Sequence, residues 1–261
     1  MEKAFIDHIA GVGIVFRASD PSQVFIEIKD DGLPIKAFRR GLCPIGGNWI
    51  GELAKKDRNA LETFRREFNE EIALKSIAAS TLELRLLGDI PEGNFYQTPR
   101  ANYTPSDEET EALNSLKRFI TGVREPFGDY IIDMPKEVFD KADPENKREG
   151  FNVLVSYWLI ALSEIQWGQL VSLQDSFANL SNESVTVITS LEEIVDAGIK
   201  FAYGHDRPLQ EFFLTQGFQS ARRLSLIDGI AYQKVGMPLA SYSDYLDIYD
   251  VKRKPLTQPI S

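Results

Sequence analysis

The stretch Gly46-Gly47-Asn48-Trp49-Ile50-Gly51-Glu52, followed after a gap by Arg66-Glu67-Phe68-Asn69-Glu70-Glu71-Ile72-Ala73-Leu74, decides how this chain is read. From Asp57 to Leu74 the apolar residues fall at helical spacing, with Leu61, Phe64, Phe68 and Ile72 on one stripe. Asp57 or Asn59 is placed to cap the start of that helix. At about 100° of rotation per residue, Glu67, Glu70 and Glu71 share one arc beside the apolar stripe. Like charges three and four residues apart repel along a helix, so this arc calls for a neutralising cation.

Hard divalent ions such as Mg²⁺ or Mn²⁺ prefer carboxylate oxygens, keep several waters and bridge to substrate phosphates. Held beside a phosphoryl group, such an ion polarises it and activates water. A solvated helix face is the ordinary alternative for an acidic run. The preceding glycine pair and the Arg-Glu order favour the metal.

At these residues the chain resembles the Nudix hydrolase family. That family's box runs glycine, five residues, glutamate, seven residues, then Arg-Glu-apolar-x-Glu-Glu-x-Gly-apolar. Arg66 to Glu71 agrees with the second half, and Gly46 and Glu52 agree with the first. The specific match covers the box, and a looser likeness extends over about residues 8 to 217. The resemblance implies an α/β fold, the Nudix-type α/β/α sandwich with a mixed β-sheet, here with insertions and a C-terminal extension. It implies a pyrophosphohydrolase that cleaves the diphosphate linkage of a nucleoside diphosphate derivative with Mg²⁺ (or Mn²⁺) as cofactor. Glu67, Glu70 and Glu71 would hold the metal, Glu70, Glu67 and Arg66 would carry catalysis, and Arg66 would orient the carboxylates. Gly46, Gly47 and Glu52 would lie on the substrate side.

Two departures from the box bear on this expectation. Thirteen residues separate Glu52 from Arg66, so either the loop is enlarged by six or Arg58 stands where the first glutamate belongs. In the second case Glu62, one turn before Arg66, would supply the lost carboxylate. Ala73 replaces the closing glycine, which normally lets the helix end in a left-handed conformation. These departures motivate an alternative, a Nudix-like domain that binds or senses a nucleotide without cleaving it.

Working outward, Gly11 to Arg17 and Gln23 to Lys29 read as an antiparallel strand pair around a turn at 18–22. A turn at Asp30-Asp31-Gly32 precedes a short extended stretch from Ile35 to Arg39, and Gly46-Gly47 is expected to form a tight loop. Thr81 to Leu87 and Gly128 to Ile132 read as strands, with a surface helix from Asp107 to Ile120 inserted between them. Phe151 to Leu162, rich in aromatic and branched residues, belongs at the sheet centre. Ile165 to Leu180 has apolar residues at helical spacing, and Val185 to Ile188 reads as a strand. Ser190 and Glu193 fit a capping box, and a last helix begins near Asp206-Arg207-Pro208. The expected division is a Nudix-like domain over 1–220, with an insertion at about 98–126, and a C-terminal extension over 221–261 with a mobile end.

Catalysis in such a site needs a further base or ligand, for which Glu164 and Glu92 are the candidates. Trp49, Phe95 and Tyr103 are aromatic residues that stack on a base or, more ordinarily, on their own fold. Arg39 and Arg40 stand before the glycine pair as phosphate contacts or as a strand-end surface pair. His205 is expected in a helix-terminal hydrogen bond rather than as a catalytic base, and Cys43 as a small buried residue rather than a nucleophile, since no histidine is close in sequence.

With 43% hydrophobic and 26% charged residues among 261, the chain can bury a full core. A net charge of -10 opposes binding to nucleic acid or an anionic membrane, yet a small nucleotide stays compatible because a bound cation reverses the local field. One cysteine excludes an intramolecular disulfide and a cysteine-rich zinc site, which fits a cytoplasmic setting. The acidic N-terminal stretch does not suit an export signal. A homodimer is the base-rate expectation for a soluble enzyme.

Overall fold

The computed structural model describes residues 3–29, 33–49, 57–74, 104–174, 177–179 and 184–252. In chain order the elements are β1 (Ala4–Ile6), β2 (His8–Arg17), β3 (Asp20–Lys29), β4 (Leu42–Cys43), β5 (Ile45–Asn48), α1 (Ala60–Glu71), β6 (Ile72–Leu74) and α2 (Asp107–Gly122). There follow β7 (Glu125–Met134), α3 (Lys136–Ala142), β8 (Phe151–Leu162), α4 (Glu164–Gln174), β9 (Phe177–Asn179), β10 (Ser184–Ser190), α5 (Leu191–Ala197) and α6 (Asp206–Thr215). The last three are β11 (Ala231–Gly236), α7 (Tyr242–Ile248) and β12 (Tyr249–Val251). Glu52, Glu92, Phe95, Tyr103, the turn at 30–32, the strand expected over 81–87 and the chain end after 252 lie outside the described residues.

Among the described residues the main sheet has eight strands in the order β10-β3-β2-β8-β7-β11, with β4 on β3 and β5 on β2. β2 and β8 run parallel from His8 beside Val153 to Arg17 beside Leu162, and the neighbouring pairs run antiparallel, so the sheet is mixed. β8 sits between β2 and β7, at the centre where its apolar run places it.

Side chains on a strand alternate between faces, and both faces are covered here. Val12, Ile14, Phe16, Val153, Val155 and Tyr157 pack with Val138 and Phe139 of α3, Ile194 of α5 and Leu209, Phe212 and Phe213 of α6. Val15, Phe25, Trp158, Ile160 and Leu162 pack with Leu61, Phe64 and Phe68 of α1, Leu116 and Ile120 of α2 and Leu170 of α4. The chain is therefore a mixed α/β fold with helices on both faces of the sheet.

α1 starts at Ala60, because the Asn59 side chain accepts from Glu62 N and caps it, while Asp57 turns to other partners. It ends at Glu71, where Ile72 is already extended and the chain enters β6, paired with β9. Ala73 thus occupies strand backbone, so no left-handed residue is needed where the Nudix box has its glycine.

Two local expectations are corrected. Residues 35–39 do not form one extended stretch: Lys36–Phe38 make a 3-10 turn that buries Phe38 against Phe139 and Tyr203 ahead of β4. Gly46-Gly47 is not a tight loop but part of β5, opposite Val12 and Gly11 of β2.

The helix expected over 107–120 is α2, capped by Ser106 and Glu109 and buried through Leu113, Leu116 and Ile120. The capping box at Ser190 and Glu193 opens α5, and α6 begins at Asp206. Beyond residue 220 the chain does not hang from the sheet: β11 extends its edge along β7, β12 pairs with β1, and α7 buries Tyr242 and Tyr245 beside Ile9, Ala60 and Leu154. No helix among the described residues is long and apolar enough to cross a membrane.

Candidate metal centre

β2 and β3 pair only near their connecting turn, at Arg17, Phe16 and Val15. Beyond that they part, and the opening is filled by β4 along β3 and by β5 along β2. α1 crosses this wedge so closely that glycine is required beneath it. A Cβ at Gly11 would fall against the Ala60 carbonyl, and one at Gly13 would meet the Phe64 ring. At Gly46, which also has φ of +154°, a Cβ would collide with the backbone of β2. At Gly47 it would take the space of the Glu67 carboxylate. These glycines serve close approach, and they let Glu67 lie directly on the bare backbone of β5.

Arg66 gathers the acidic side chains. Its Nη1 donates to Glu67 Oε1 at 2.6 Å and to Glu70 Oε2 at 3.3 Å. Its Nε donates to Asp57 at 3.0 and 3.2 Å, and Nη2 reaches the Asn48 carbonyl at 3.0 Å. Burial opposes the guanidinium charge, but the hydrogen bond and charge of Asp57 and Glu67 outweigh it and raise the Arg66 pKa. Glu67 is shifted upward, since burial and the neighbouring Glu70 and Asp57 exceed the stabilisation from Arg66. Glu70 is the open member, with its side chain 56% exposed.

Glu71 faces inward, toward a pair on β3. Lys29 Nζ donates to Glu27 Oε2 at 2.8 Å, and the Glu27 side chain is wholly buried. Burial opposes the Lys29 charge, but Glu27 outweighs it and raises the pKa. Burial, then the charge of Glu27, pushes the Glu71 pKa far above the usual carboxylate range, with Lys29 opposing and Glu67 and Glu70 adding to the rise. Glu71 Oε2 and Glu27 Oε1 are buried without a hydrogen-bond partner. Asp57, Glu67 and Glu70 thus share one guanidinium, and Glu27 holds the ammonium whose charge also acts on Glu71.

Among the described residues no three acidic, histidine or cysteine side chains already converge as a metal cage. The donor set nevertheless fits a hard divalent cation. Among the described residues it brings the carboxylates of Glu27, Asp57, Glu67, Glu70 and Glu71 near two cations, Arg66 and Lys29, and it keeps one buried oxygen of Glu71 unpaired where a buried polar atom normally has a partner.

Of the residues expected in the site, Arg66, Glu67, Glu70, Glu71, Gly46 and Gly47 come together here. Glu62 does not join them: it pairs with Arg58 at 2.6 Å, and Arg58 is 86% exposed. Glu164 is bound to Arg17 at 2.5 Å and to Ser19, at the opposite end of β2 from Gly11. At about 3.3 Å per residue that is roughly 20 Å away, so Glu164 is no base for this group. Trp49 stacks on Tyr242 with ring centroids 4.2 Å apart, and Arg39 donates to the Leu33 carbonyl. His205 is buried, its Nδ1 2.6 Å from the Tyr157 hydroxyl, and it makes no side-chain cap on α6. Cys43 is buried, which pushes its thiol up to about 12, against the opposing charge of Lys29.

Sequence reading gives Glu27, Lys29 and Tyr242 no part in the site and places Asp57 only as a helix cap. The strand Val24-Phe25-Ile26-Glu27-Ile28-Lys29 did carry a signal, since Glu27 and Lys29 interrupt one face of an otherwise apolar run. Tyr242, 179 residues from Thr63, carried none. Compared with family models, curated proteins and solved structures, the chain matches none of them.

Proposed function

We propose that this chain is a Nudix-type hydrolase that uses Mg²⁺ or Mn²⁺ to cleave the diphosphate linkage of a nucleoside diphosphate derivative. The observation that carries this reading is the pairing of Glu67 and Glu70 with Arg66, against the glycine-lined strand β5, with Glu71 next to them on the same helix and its Oε2 left unpaired. Glu67, Glu70 and Glu71 would hold the cation, which when bound activates water and neutralises charge on the phosphates. Arg66 fixes two of the three carboxylates, so their oxygens need little reorganisation on binding. Gly46 and Gly47 present backbone without side chains, which lets the Glu67 carboxylate lie against β5. Glu70 stands at the solvent side, where water and substrate arrive.

The test is formation of nucleoside monophosphate, resolved by anion-exchange chromatography, from a panel of nucleoside diphosphate derivatives with Mg²⁺, comparing the natural chain with Glu70→Gln. Glu70 is exposed and its contact with Arg66 is long, so the substitution is expected to cost no more than about 1 kcal/mol of stability while suppressing turnover. Equal turnover in both proteins removes Glu70 from the reaction. A nucleotide-binding domain without turnover is the second reading, motivated by the thirteen residues between Glu52 and Arg66 and by Ala73 in place of the box's glycine. Binding in the same panel without cleavage to the nucleoside monophosphate would select it.

A further inference from the structure

Tyr242 on α7 holds both sides of the segment whose length departs from the Nudix box. Before residues 50–56, the Trp49 ring stacks on it at 4.2 Å and 21°. After them, its backbone N–H donates to the Arg58 carbonyl at 2.9 Å. Its hydroxyl lies 2.5 Å from Thr63 Oγ1, and Thr63 in turn donates to Asp57 Oδ2 at 3.0 Å. A carboxylate only accepts, so the single Thr63 hydrogen is committed to Asp57 and the Tyr242 hydroxyl is the donor to Thr63. Asp57 receives Arg66 Nε, and Arg66 holds Glu67 and Glu70.

Each link is screened from water. Tyr242 is 3% exposed, Thr63 is fully buried, and the Asp57 side chain is 3% exposed. Hydrogen bonds in such surroundings are electrostatically strong, and a missing one leaves a buried group unsatisfied. Mere packing of α7 on the sheet would not require this line of donors. Tyr245, on the same helix and fully buried, shows the difference: its hydroxyl donates to Asp129 Oδ2 at 2.6 Å and lies 3.0 Å from Ser156, away from Arg66.

We infer that Tyr242 is a positioning residue for the carboxylate cluster: by donating to Thr63 it fixes Asp57, and through Asp57 it sets Arg66 against Glu67 and Glu70. This rests on the metal-dependent reading of the cluster.

The experiment is a Mn²⁺ titration of the full chain, following free Mn²⁺ by electron paramagnetic resonance, in the natural protein, Tyr242→Phe and Tyr245→Phe. Tyr242→Phe keeps the ring on Trp49 and loses only the hydroxyl. Its Mn²⁺ affinity is expected to fall about 10-fold, the usual scale for a group supporting metal ligands, while Tyr245→Phe stays within about twofold although both unfold more readily. Equal loss in both variants, or no change in Tyr242→Phe, overturns the assignment. If the natural chain takes up no Mn²⁺, the metal reading fails and the positioning is read at Arg66 itself. The Arg66 Nε–H resonance, identified by its loss in Arg66→Lys, should then shift in Tyr242→Phe and not in Tyr245→Phe. An unshifted resonance overturns the inference independently of the metal.

Discussion

The Glu67 carboxylate fills the space that a side chain on Gly47 would need: a Cβ there would lie 2.5 Å from Glu67 Oε1 and 2.7 Å from its Cγ. A glycine in a strand and a glutamate on the crossing helix are thus one steric unit.

Gly47→Ala should therefore act at a distance in sequence. One added methyl group forces Glu67 off β5 and away from Arg66, at a stability cost of about 1–3 kcal/mol for overpacking. If Glu67 holds the cation as proposed, the larger effect falls there, with Mn²⁺ affinity dropping by about 10-fold or more because Glu67 is displaced. Calorimetric titration of the variant reads this directly. Unchanged affinity would mean that Glu67 is not used from its present position.

The buried pair on β3 gives a second prediction. Lys29 is the ammonium beside the wholly buried Glu27 and near Glu71. Lys29→Met leaves buried carboxylate charge without its partner, a change that costs about 3–5 kcal/mol in comparable pairs. Adding Glu27→Gln removes most of that stranded charge, so the double variant should be more stable than Lys29→Met alone. Urea unfolding of the single and double variants measures the coupling. Simple addition of the two losses would show that the two side chains do not depend on each other.

What the sequence disclosed, and what it withheld, follow from the range of the interactions. α1 was legible because Leu61, Phe64, Phe68 and Ile72 repeat at one helical period, and each of them is buried. β8 was legible because twelve consecutive residues, Phe151–Leu162, favour extended backbone and a covered sheet. The capping boxes at Ser106 and Ser190 were local for the same reason: donor and acceptor lie three residues apart, although only the second was read. Gly46-Gly47 misled, since a glycine pair signals a turn and a close crossing equally well, and only the position of α1 distinguishes them. The acidic cluster was half legible. Glu67, Glu70 and Glu71 sit on one helix face, but Glu27 and Lys29 arrive from β3 and the Tyr242 hydroxyl from α7. No short-range pattern encodes a meeting of three elements, and the splay of β2 from β3 that permits it depends on β4 and β5 entering between them.

The last prediction concerns acid, and turns on two buried groups whose trends oppose each other. Burial, aided by the Lys29 charge, pushes the His205 pKa down from 6.5 to about 3. The folded chain then keeps this imidazole neutral where the unfolded chain protonates it, so its contribution to stability is full above about pH 6.5 and is lost as pH falls toward 3. Burial pushes Asp129 the other way, up from 3.8 to about 6, against the hydroxyls of Tyr245 and Ser156. Its contribution is full below about pH 3.8 and is lost as pH rises through 6. Between those limits each group masks the other in the natural chain. Asp129→Asn keeps an acceptor for the Tyr245 hydroxyl and abolishes one titration, so the His205 trend should emerge. From pH 6.5 to 4.5 the variant is expected to lose on the order of 1 kcal/mol more stability than the natural chain, whatever its stability at the starting pH. Urea unfolding at the two pH values in both proteins decides it. Parallel losses would show that Asp129 does not take up its proton in this range, and the offset assigned to it would have to be abandoned.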